Sequence, residues 1–269
     1  MDFRKLQILI IFSLLSISLS VFSNPIDVTI HVDDAYRPFS FNDKGQAKGM
    51  YIDVLKAAFS RMKNFKVNIK TVPWTRGKLL MKNGEALGLA PAFFHGHDWP
   101  YLHPYSLPFY TETIVVICQE KILPKNNWPQ DYIGLKIGNV TGFDGWGGEE
   151  FRKLVKAGKI KYEEVNGTKE NIVKLLLNRI DCILMEEKAF EYQFKKIQNT
   201  KKHAALAKKA KIKTAVIIGT DPVYIGYSKP ARLNNKYPYQ FDFMQAFDSE
   251  IYKMIKSGEI AKIMNAYTD

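Results

Sequence analysis

Hydrophobic and polar residues follow two different periodicities along this chain. Alternation with a period of two in "IDVTIHV" (26–32) and "FKVNIKTV" (65–72) predicts β-strands, whereas the apolar residues of "GMYIDVLKAAFSRM" (49–62) share one face of a predicted helix. A similar succession of strands and helices returns later, from "YIGLKIGNV" (132–140) to "IDCILM" (180–185). Strands that alternate with helices predict an α/β fold with mostly parallel sheets, and the recurrence predicts two similar lobes.

Two apolar, strand-like segments mark the predicted connection between the lobes. They lie near residues 113–118 and 223–228, and we expect them to form a hinge of two strands. We therefore predict a first lobe of residues 24–117 plus 223–269 and a second lobe of residues 118–222. The helices at the end of the chain would then return to the first lobe.

The amino-terminal segment has the features of a secretory signal peptide. A basic start is followed by an apolar run over residues 8–22, and the small residue Ser23 stands at the expected cleavage position. We predict a signal peptide of residues 1–23 and export, with no lipid anchor, since no cysteine stands near that position. The alternative is an uncleaved membrane anchor, although the apolar run is shorter than the roughly 20 residues of a spanning helix.

The chain is basic, with a formal net charge of +12 at pH 7. Eight of its lysines fall within residues 195–213, a stretch that we interpret as a solvated helical face and loop rather than as an anion site. Basic proteins often bind nucleic acid, but an exported protein is not expected to meet it. We predict no nucleic-acid partner.

The two cysteines, Cys118 and Cys182, lie in apolar, strand-like runs. Export permits a disulfide between them. Neighbouring strands of one sheet, however, seldom offer good disulfide geometry. Two buried free thiols are therefore the expected state, and a disulfide is the alternative.

The segment "FFHGHDWPYLHPYSLPFY" (93–110) contains three of the five histidines of the chain: His95, His97 and His103. Three imidazoles could hold Zn²⁺ or Ni²⁺. The prolines of the segment indicate a loop, however, and nothing in the sequence brings His103 close to the other two histidines. We expect the histidines to act as hydrogen-bonding groups, and we predict neither a metal nor another cofactor.

Five sequence motifs, in order along the chain, resemble those of one protein family. They are "YRPFSFNDKGQAKGMYIDVLKAAF" (36–59), "LMKNGEALGL" (80–89), "YSLPFY" (105–110), "LLLNRIDCILME" (175–186) and "VYIGYSKPARLNNKY" (223–237) with its following helices. They resemble motifs of the periplasmic solute-binding proteins of ABC importers, in the family typified by polar amino-acid binders (bacterial solute-binding family 3). The resemblance implies the two-lobed periplasmic-binding-protein fold (type II), with a mostly parallel sheet in each lobe and a two-strand hinge. It also implies a periplasmic monomer that captures a small-molecule solute for a membrane ABC permease and is not an enzyme.

The resemblance places candidate ligand-binding residues in the first lobe. Tyr36 stands at the aromatic position of the opening motif and is expected to form a pocket wall. Trp74 and Arg76 follow a strand directly, where a ring can face a cation and a guanidinium can bind a carboxylate. Trp99 occupies the position of the family's arginine that clamps the solute carboxylate, and Phe93 replaces a hydroxyl-bearing region. The usual clamp is therefore absent unless Arg76 takes its place.

The second lobe keeps part of the family's pattern. Glu186 stands where the family has an acid that meets the solute ammonium. Phe143 and Asp144 follow Gly142 in a loop before a predicted helix, where the family has glycine and a hydroxyl residue. The crevice is thus expected to be rich in aromatic residues, with one cation and one anion. Such a crevice favours an amino acid, an amino-acid derivative or an amine.

Two other functions fit the same resemblance. A dehydratase-like enzyme on this fold would need a general acid and a general base, for which Glu186 and His97 could serve. A ligand sensor that reports to a membrane receptor would use the same pocket with a different partner. The sequence favours uptake over the enzyme, because it contains no nucleophile motif and no phosphate loop.

Overall fold

The computed structural model describes residues 24–94, 98–143 and 146–267, so the predicted signal peptide lies outside the described residues. Twelve strands are present in this part of the chain: Ile26–Asp33 (β1), Ala35–Tyr36 (β2), Ser40–Asp43 (β3), Gln46–Lys48 (β4), Phe65–Val72 (β5), Gly88–Phe93 (β6), Leu102–Tyr105 (β7), Tyr110–Gln119 (β8), Lys136–Val140 (β9), Lys161–Val165 (β10), Cys182–Glu186 (β11) and Ile212–Ser228 (β12).

The same described ranges contain nine α-helices: Met50–Phe59 (α1), Trp74–Lys82 (α2), Gly148–Lys156 (α3), Thr168–Leu176 (α4), Glu187–Gln198 (α5), Ala204–Lys209 (α6), Lys229–Leu233 (α7), Gln240–Lys256 (α8) and Glu259–Asn265 (α9). Two short 3-10 helices follow β8, at Glu120–Ile122 and Gln130–Tyr132. No helix within the described ranges combines the length and the apolar character needed to cross a membrane.

Strands and helices alternate as predicted, and nine strands form one curled sheet. Its order is β10-β9-β11-β8-β12-β6-β1-β5, with β7 paired to β12 outside this path. At one end β1 pairs in parallel with β5 and β6, and at the other end β9 pairs in parallel with β10 and β11. These two parallel groups are the sheets of the two lobes, so the predicted α/β architecture is confirmed.

Two strands, β8 and β12, run through both lobes. Residues 114–118 of β8 pair with β11, and residues 223–227 of β12 pair with β6. Between these stretches, residues 111–113 of β8 face residues 220–222 of β12, and this two-strand crossing joins the lobes. The predicted boundary after residue 117 falls within the part of β8 that pairs with the second lobe.

Two expectations about strands differ from the structure. A hinge segment was predicted near residues 223–228, but β12 is continuous from Ile212 to Ser228, because shifts of register near Gly219 let one strand bend between the lobes. The segment expected as a loop between residues 93 and 110 contains β7. This strand pairs with β12 alone, so it is an edge strand, a position where proline is tolerated.

Cys118 and Cys182 form a disulfide, so the expectation of two free thiols is wrong. The two residues face each other in the antiparallel pair of β8 and β11, with their Cα atoms 4.0 Å apart. In such a ladder, directly opposite residues bring their side chains close together on one face of the sheet. Both cysteines are fully buried in the core of the second lobe.

The helices at the end of the chain, α8 and α9, pack against α1 of the first lobe. The ring of Phe59 in α1 lies 6.0 Å from that of Phe243 and 5.5 Å from that of Phe247, both in α8. Arg61, just after α1, forms an ion pair with Glu259 of α9 at 2.6 Å. The fully buried phenylalanines make α8 part of the core of this lobe.

Candidate functional site

The two lobes meet at the carboxyl ends of their parallel strands. In lobe 1, Asp33 ends β1, Phe93 ends β6, and Trp74 begins α2 two residues after β5. In lobe 2, Glu186 ends β11, and the loop after β9 carries Phe143. Ligands of α/β proteins bind in crevices of this kind, because side chains from several strand ends converge there.

Six aromatic side chains line this crevice, and we call them the aromatic cage: Tyr36, Trp74, Phe93, Trp99, Phe143 and Trp146. The Tyr36 ring meets the Phe143 ring edge-on at a centroid distance of 5.2 Å, and Trp74 meets Trp99 at 5.8 Å. The rings of Phe143 and Trp146 are 5.1 Å apart. These last two residues come from lobe 2 and the other four from lobe 1, so the cage is complete only when the lobes are together.

Two adjoining cavities lie at the cage. The inner cavity has a volume of about 10 Å³, which is room for about one water molecule. The outer cavity has a volume of about 400 Å³, within the range of small-molecule sites. Besides cage residues, the outer cavity is bordered by polar side chains from both lobes: Asp33, Asp34, Thr75, Thr141, Asn166 and Thr168.

Direct contacts between the lobes hold the crevice closed. The carbonyl oxygen of Gly142 in lobe 2 accepts hydrogen bonds from Trp74 Nε1 at 3.1 Å and from Lys78 Nζ at 2.9 Å. Arg152 of α3 forms an ion pair with Asp98, which precedes β7. Gly142 has a φ of +80°, which favours glycine.

A buried carboxyl group lies behind the cage, at the crossing between the lobes. Glu112 of β8 accepts hydrogen bonds from the phenol of Tyr36 at 2.7 Å and from the phenol of Tyr51 at 2.6 Å. Burial raises the pKa of Glu112 well above its usual range, and the nearby Glu186 carboxylate raises it further, whereas the hydrogen bonds from the two phenols lower it. These bonds connect the wall of the cage to the strand that joins the lobes.

Two further buried carboxyl groups stand at strand ends. Burial raises the pKa of Asp33 to about 7, although the backbone N–H of Ala35 donates to its Oδ1 at 2.8 Å. Burial also raises the pKa of Glu186 to about 7, although its Oε2 accepts a hydrogen bond from the N–H of Ala189 at 2.6 Å. Carboxyl groups of this kind change charge near neutral pH, which is typical of functional sites.

The buried indole of Trp146 adds a polar group to the cage. Its Nε1 has no hydrogen-bond acceptor among the described residues, and the side chain is 3% exposed. Buried indole N–H groups usually find a partner. This donor is therefore available to an oxygen atom of a bound solute.

The structure brings five of the eight predicted ligand-binding residues together in the aromatic cage: Tyr36, Trp74, Phe93, Trp99 and Phe143. Glu186 is buried and caps the start of α5, and it borders neither cavity. Arg76 is exposed on α2 and borders neither cavity either. Its predicted role in place of the family's carboxylate clamp thus gains no support from its position. Asp144 lies outside the described residues.

The histidine segment is described only in part. His95 and His97 lie outside the described residues, and His103 is an exposed residue of β7. Over the ranges that the structure covers, no three or more histidine, cysteine or acidic side chains are grouped as metal ligands would be.

Several residues of the site were not among the sequence-based predictions, and among them are Asp33, Tyr51 and Glu112. An acidic residue that ends an alternating strand is a signal for Asp33, because strand ends meet at the crevice. Glu112 is the charged residue inside the apolar hinge segment "TETIVVICQ", which is a second signal. Tyr51 looks like an ordinary core residue of its helix, and the sequence offers no signal for its contact with Glu112.

Comparison with protein families agrees with this geometry. Residues 28–90, from β1 through β6, match the family model of bacterial extracellular solute-binding proteins, family 3. The comparison with curated proteins yields no match.

Solved structures with the same fold include several binding proteins. One structure comes from a study of glutathione import through GshT and the cystine ABC importer of Streptococcus mutans. It has a TM-score of 0.71 and 16% identity, and the match covers 90% of this chain and 95% of that one. The arginine-, lysine-, histidine-binding protein ArtJ of Geobacillus stearothermophilus has a TM-score of 0.65 and 18% identity over 88% of this chain and 93% of its own.

A third structure is an ancestral amino acid-binding protein described as a precursor of cyclohexadienyl dehydratase. It has a TM-score of 0.65 and 16% identity, and covers 90% of this chain and 96% of its own. At these identities the likeness shows the fold, which is that of the two-lobed periplasmic binding proteins. Residues 28–90 are therefore similar to the bacterial extracellular solute-binding proteins of family 3, and the whole described chain shares the fold of the periplasmic binding proteins.

Proposed function

We propose that this protein acts in the periplasm, where it captures a small polar organic solute between two closing lobes. It then delivers the solute to an ABC-type permease in the membrane. The solute class is an amino acid, an amino-acid derivative or an amine. The cage carries this proposal, because Tyr36 and Trp74 of one lobe and Phe143 and Trp146 of the other border one space. A solute in that space touches both lobes only when they are closed, so its binding energy favours closure.

The connection between the lobes supports the same function. The crossing of residues 111–113 with 220–222 is narrow, and a pair of strands can bend there as a hinge. Polar contacts between the lobes within the described residues include those at Gly142 and the ion pair of Asp98 with Arg152. Solute contacts can therefore change the balance between open and closed forms.

A thermal-shift screen tests the proposal. The protein from residue 24 onward would be unfolded and refolded to remove any carried-over solute, and then mixed with amino acids, amines, small carboxylates, short peptides and divalent metals. A ligand at a hundredfold excess over its dissociation constant stabilises the folded state by about 2.7 kcal/mol. A shift with one organic class supports the proposal, whereas no shift, or shifts with metals alone, contradicts it.

A dehydratase-like enzyme is the second candidate. It is favoured by the carboxyl group of Asp33, whose pKa of about 7 suits proton transfer at the crevice, and by the fold shared with a dehydratase precursor. We propose binding without catalysis, and mass spectrometry of each solute that gives a shift distinguishes the two functions. Recovery of an unchanged solute after long incubation supports binding, and a dehydrated product supports the enzyme.

The partner and the oligomeric state belong to the same proposal. We propose that a monomer loaded with solute stimulates the ATPase activity of a permease reconstituted in lipid vesicles. Stimulation of a sensor kinase, with no effect on the permease, would instead indicate a ligand sensor. Size-exclusion chromatography with light scattering checks the monomer.

A further inference from the structure

The acidic side chains of the crevice face the place where the solute would lie. Asp33 borders both cavities and is 2% exposed, and Asp34 borders the outer cavity. No ion pair of either residue is present among the described contacts. The side chain of Asp33 accepts a backbone hydrogen bond from Ala35 at 2.8 Å, and the backbone N–H groups of Asp34 and Tyr36 also stabilise its charged form, but no positively charged side chain pairs with it among the described contacts.

Aromatic rings border the same position. Tyr36, Trp74 and Phe143 border both cavities together with Asp33, so the boundary between the cavities has a carboxyl group and three rings. Ring faces attract ammonium groups, most strongly when water is excluded. A carboxylate beside such faces adds direct charge pairing, and both features favour a cation.

Arginine and lysine are absent from the described lining of the two cavities, and residues 95–97 and 144–145, which adjoin cage residues in sequence, contain neither. Lys78 lies beside this lining: its Nζ donates to the carbonyl of Gly142 and is 5.4 Å from the centroid of the Trp99 ring. At the boundary of the two cavities, a solute carboxylate would meet Asp33 and Asp34 and lose its hydration, with no arginine or lysine of the described lining to offset the loss.

We propose, building on the binding function above, that the solute is an organic cation without a carboxylate: a primary, secondary or quaternary amine. Its positive group lies at the boundary of the two cavities, against Asp33 and the rings of Tyr36 and Trp74. Its remaining part fills the outer cavity among hydroxyl and amide groups such as those of Thr141 and Asn166. An uncharged oxygen on the solute would accept the indole N–H of Trp146.

Matched pairs of probes that differ by a carboxylate test this inference on the unaltered protein. Suitable pairs are agmatine and arginine, cadaverine and lysine, and choline and glycine betaine, each measured by calorimetry. We expect one of the amines to bind at least about tenfold more tightly than its carboxylate partner. If the carboxylate member of a pair binds equally well or better, the inference is wrong and the binding function stands. If no organic probe of any class binds, both proposals fail.

Two variants test whether Asp33 recognises the positive group of the solute. Asp33→Asn keeps the shape of the side chain and removes its charge, so we expect affinity for the tightest amine to fall by about tenfold or more. Asp242→Asn is the matched control, because Asp242 is exposed on α8 and borders neither cavity, and it should leave affinity unchanged. Equal affinity in a folded Asp33→Asn protein would overturn the role of Asp33. If that variant does not fold, the probe pairs decide the inference by themselves.

Discussion

The phenol of Tyr36 donates a hydrogen bond to Glu112 Oε2 across 2.7 Å, between a cage residue and the strand that joins the two lobes. The partners are 76 positions apart in sequence, and both are fully buried. A residue that would touch the solute is thereby fixed to the hinge. The contact allows the position of the cage wall to depend on the arrangement of the lobes.

Replacing Tyr36 by phenylalanine removes this bond and keeps the ring. We expect the free energy of unfolding to fall by about 1–3 kcal/mol, because a buried carboxyl oxygen loses its donor. Urea unfolding measures the change. Tyr252→Phe is the control, since Tyr252 is 57% exposed, and it should lie within about 0.5 kcal/mol of the unaltered protein. Equal stability of Tyr36→Phe and the control would contradict a stabilising role for the bond.

Adding a methyl group at Gly142 should oppose closure. A Cβ there would lie 3.1 Å from Thr75 Cγ2 and 3.3 Å from Trp74 Cδ1, both in the other lobe. We expect Gly142→Ala to weaken solute binding by about tenfold and to raise the radius of gyration of the solute-bound protein, as measured by calorimetry and X-ray scattering.

Gly134→Ala is the matched control for Gly142→Ala. Gly134 has a φ of +86°, close to the +80° of Gly142, but a Cβ there meets nothing within 4 Å. Both variants should lose about 1–2 kcal/mol of stability, because a side chain is strained in the left-handed backbone conformation. Only Gly142→Ala, whose position lies between the lobes, should also weaken solute binding. Equal effects of the two variants on affinity would argue against the contact at Gly142.

The disulfide between Cys118 and Cys182 closes a loop of 64 residues and should stabilise lobe 2. On the chain-entropy account, the double change Cys118→Ala, Cys182→Ala lowers the free energy of unfolding by about 4 kcal/mol. Urea unfolding of the variant and of the unaltered protein, both without reductant, measures the effect. Thiol titration of the unfolded, unreduced protein should detect no free thiol, and two reactive thiols would refute the bridge.

Stability should depend on pH through Asp33 and Glu186. Burial raises the pKa of both to about 7, above the value near 4 of an exposed carboxyl group, so the folded state binds more protons between pH 4 and 7. The free energy of unfolding should therefore fall as pH rises through this window, by up to about 1.4 kcal/mol per pH unit for each group. The charge of Asp34 raises the pKa of Asp33 further. For Glu186, the charge of Glu187 raises the pKa and the charge of Lys188 lowers it.

Unfolding measurements at several pH values between 5 and 8 test this dependence. Asp33→Asn removes one titrating group, so its stability should fall less steeply with pH than that of the unaltered protein. Asp242→Asn, at an exposed position, should keep the original slope. A slope that Asp33→Asn leaves unchanged would show that other groups cause the pH dependence.

Part of the site was predictable because strand ends are local features of the sequence. Trp74 follows the alternating segment at 65–72, so it was expected at the crevice, whereas Phe143 was expected there from the resemblance of its loop to the family's pattern. The same reasoning suggested Arg76, which lies two residues further along α2. A helix turns about 100° per residue, so side chains two positions apart, such as those of Trp74 and Arg76, point to different faces. Only the packed helix shows which of the two faces the crevice.

Sequence periodicity by itself determined the alternation of strands and helices and indicated two lobes, because burial imposes repeats of 2.0 and 3.6 residues on each element. The resemblance to family motifs, rather than periodicity, placed aromatic residues at the crevice. Tertiary structure alone decided the pairing of Cys118 with Cys182, the hydrogen bonds at Gly142 and the shared position of Tyr36 and Glu112. These depend on the register of strands and on the closure of the lobes, which bring together residues 64 to 76 positions apart. The raised pKa of Asp33 also depends on tertiary structure, because residues from distant parts of the chain bury this carboxyl group and remove it from water.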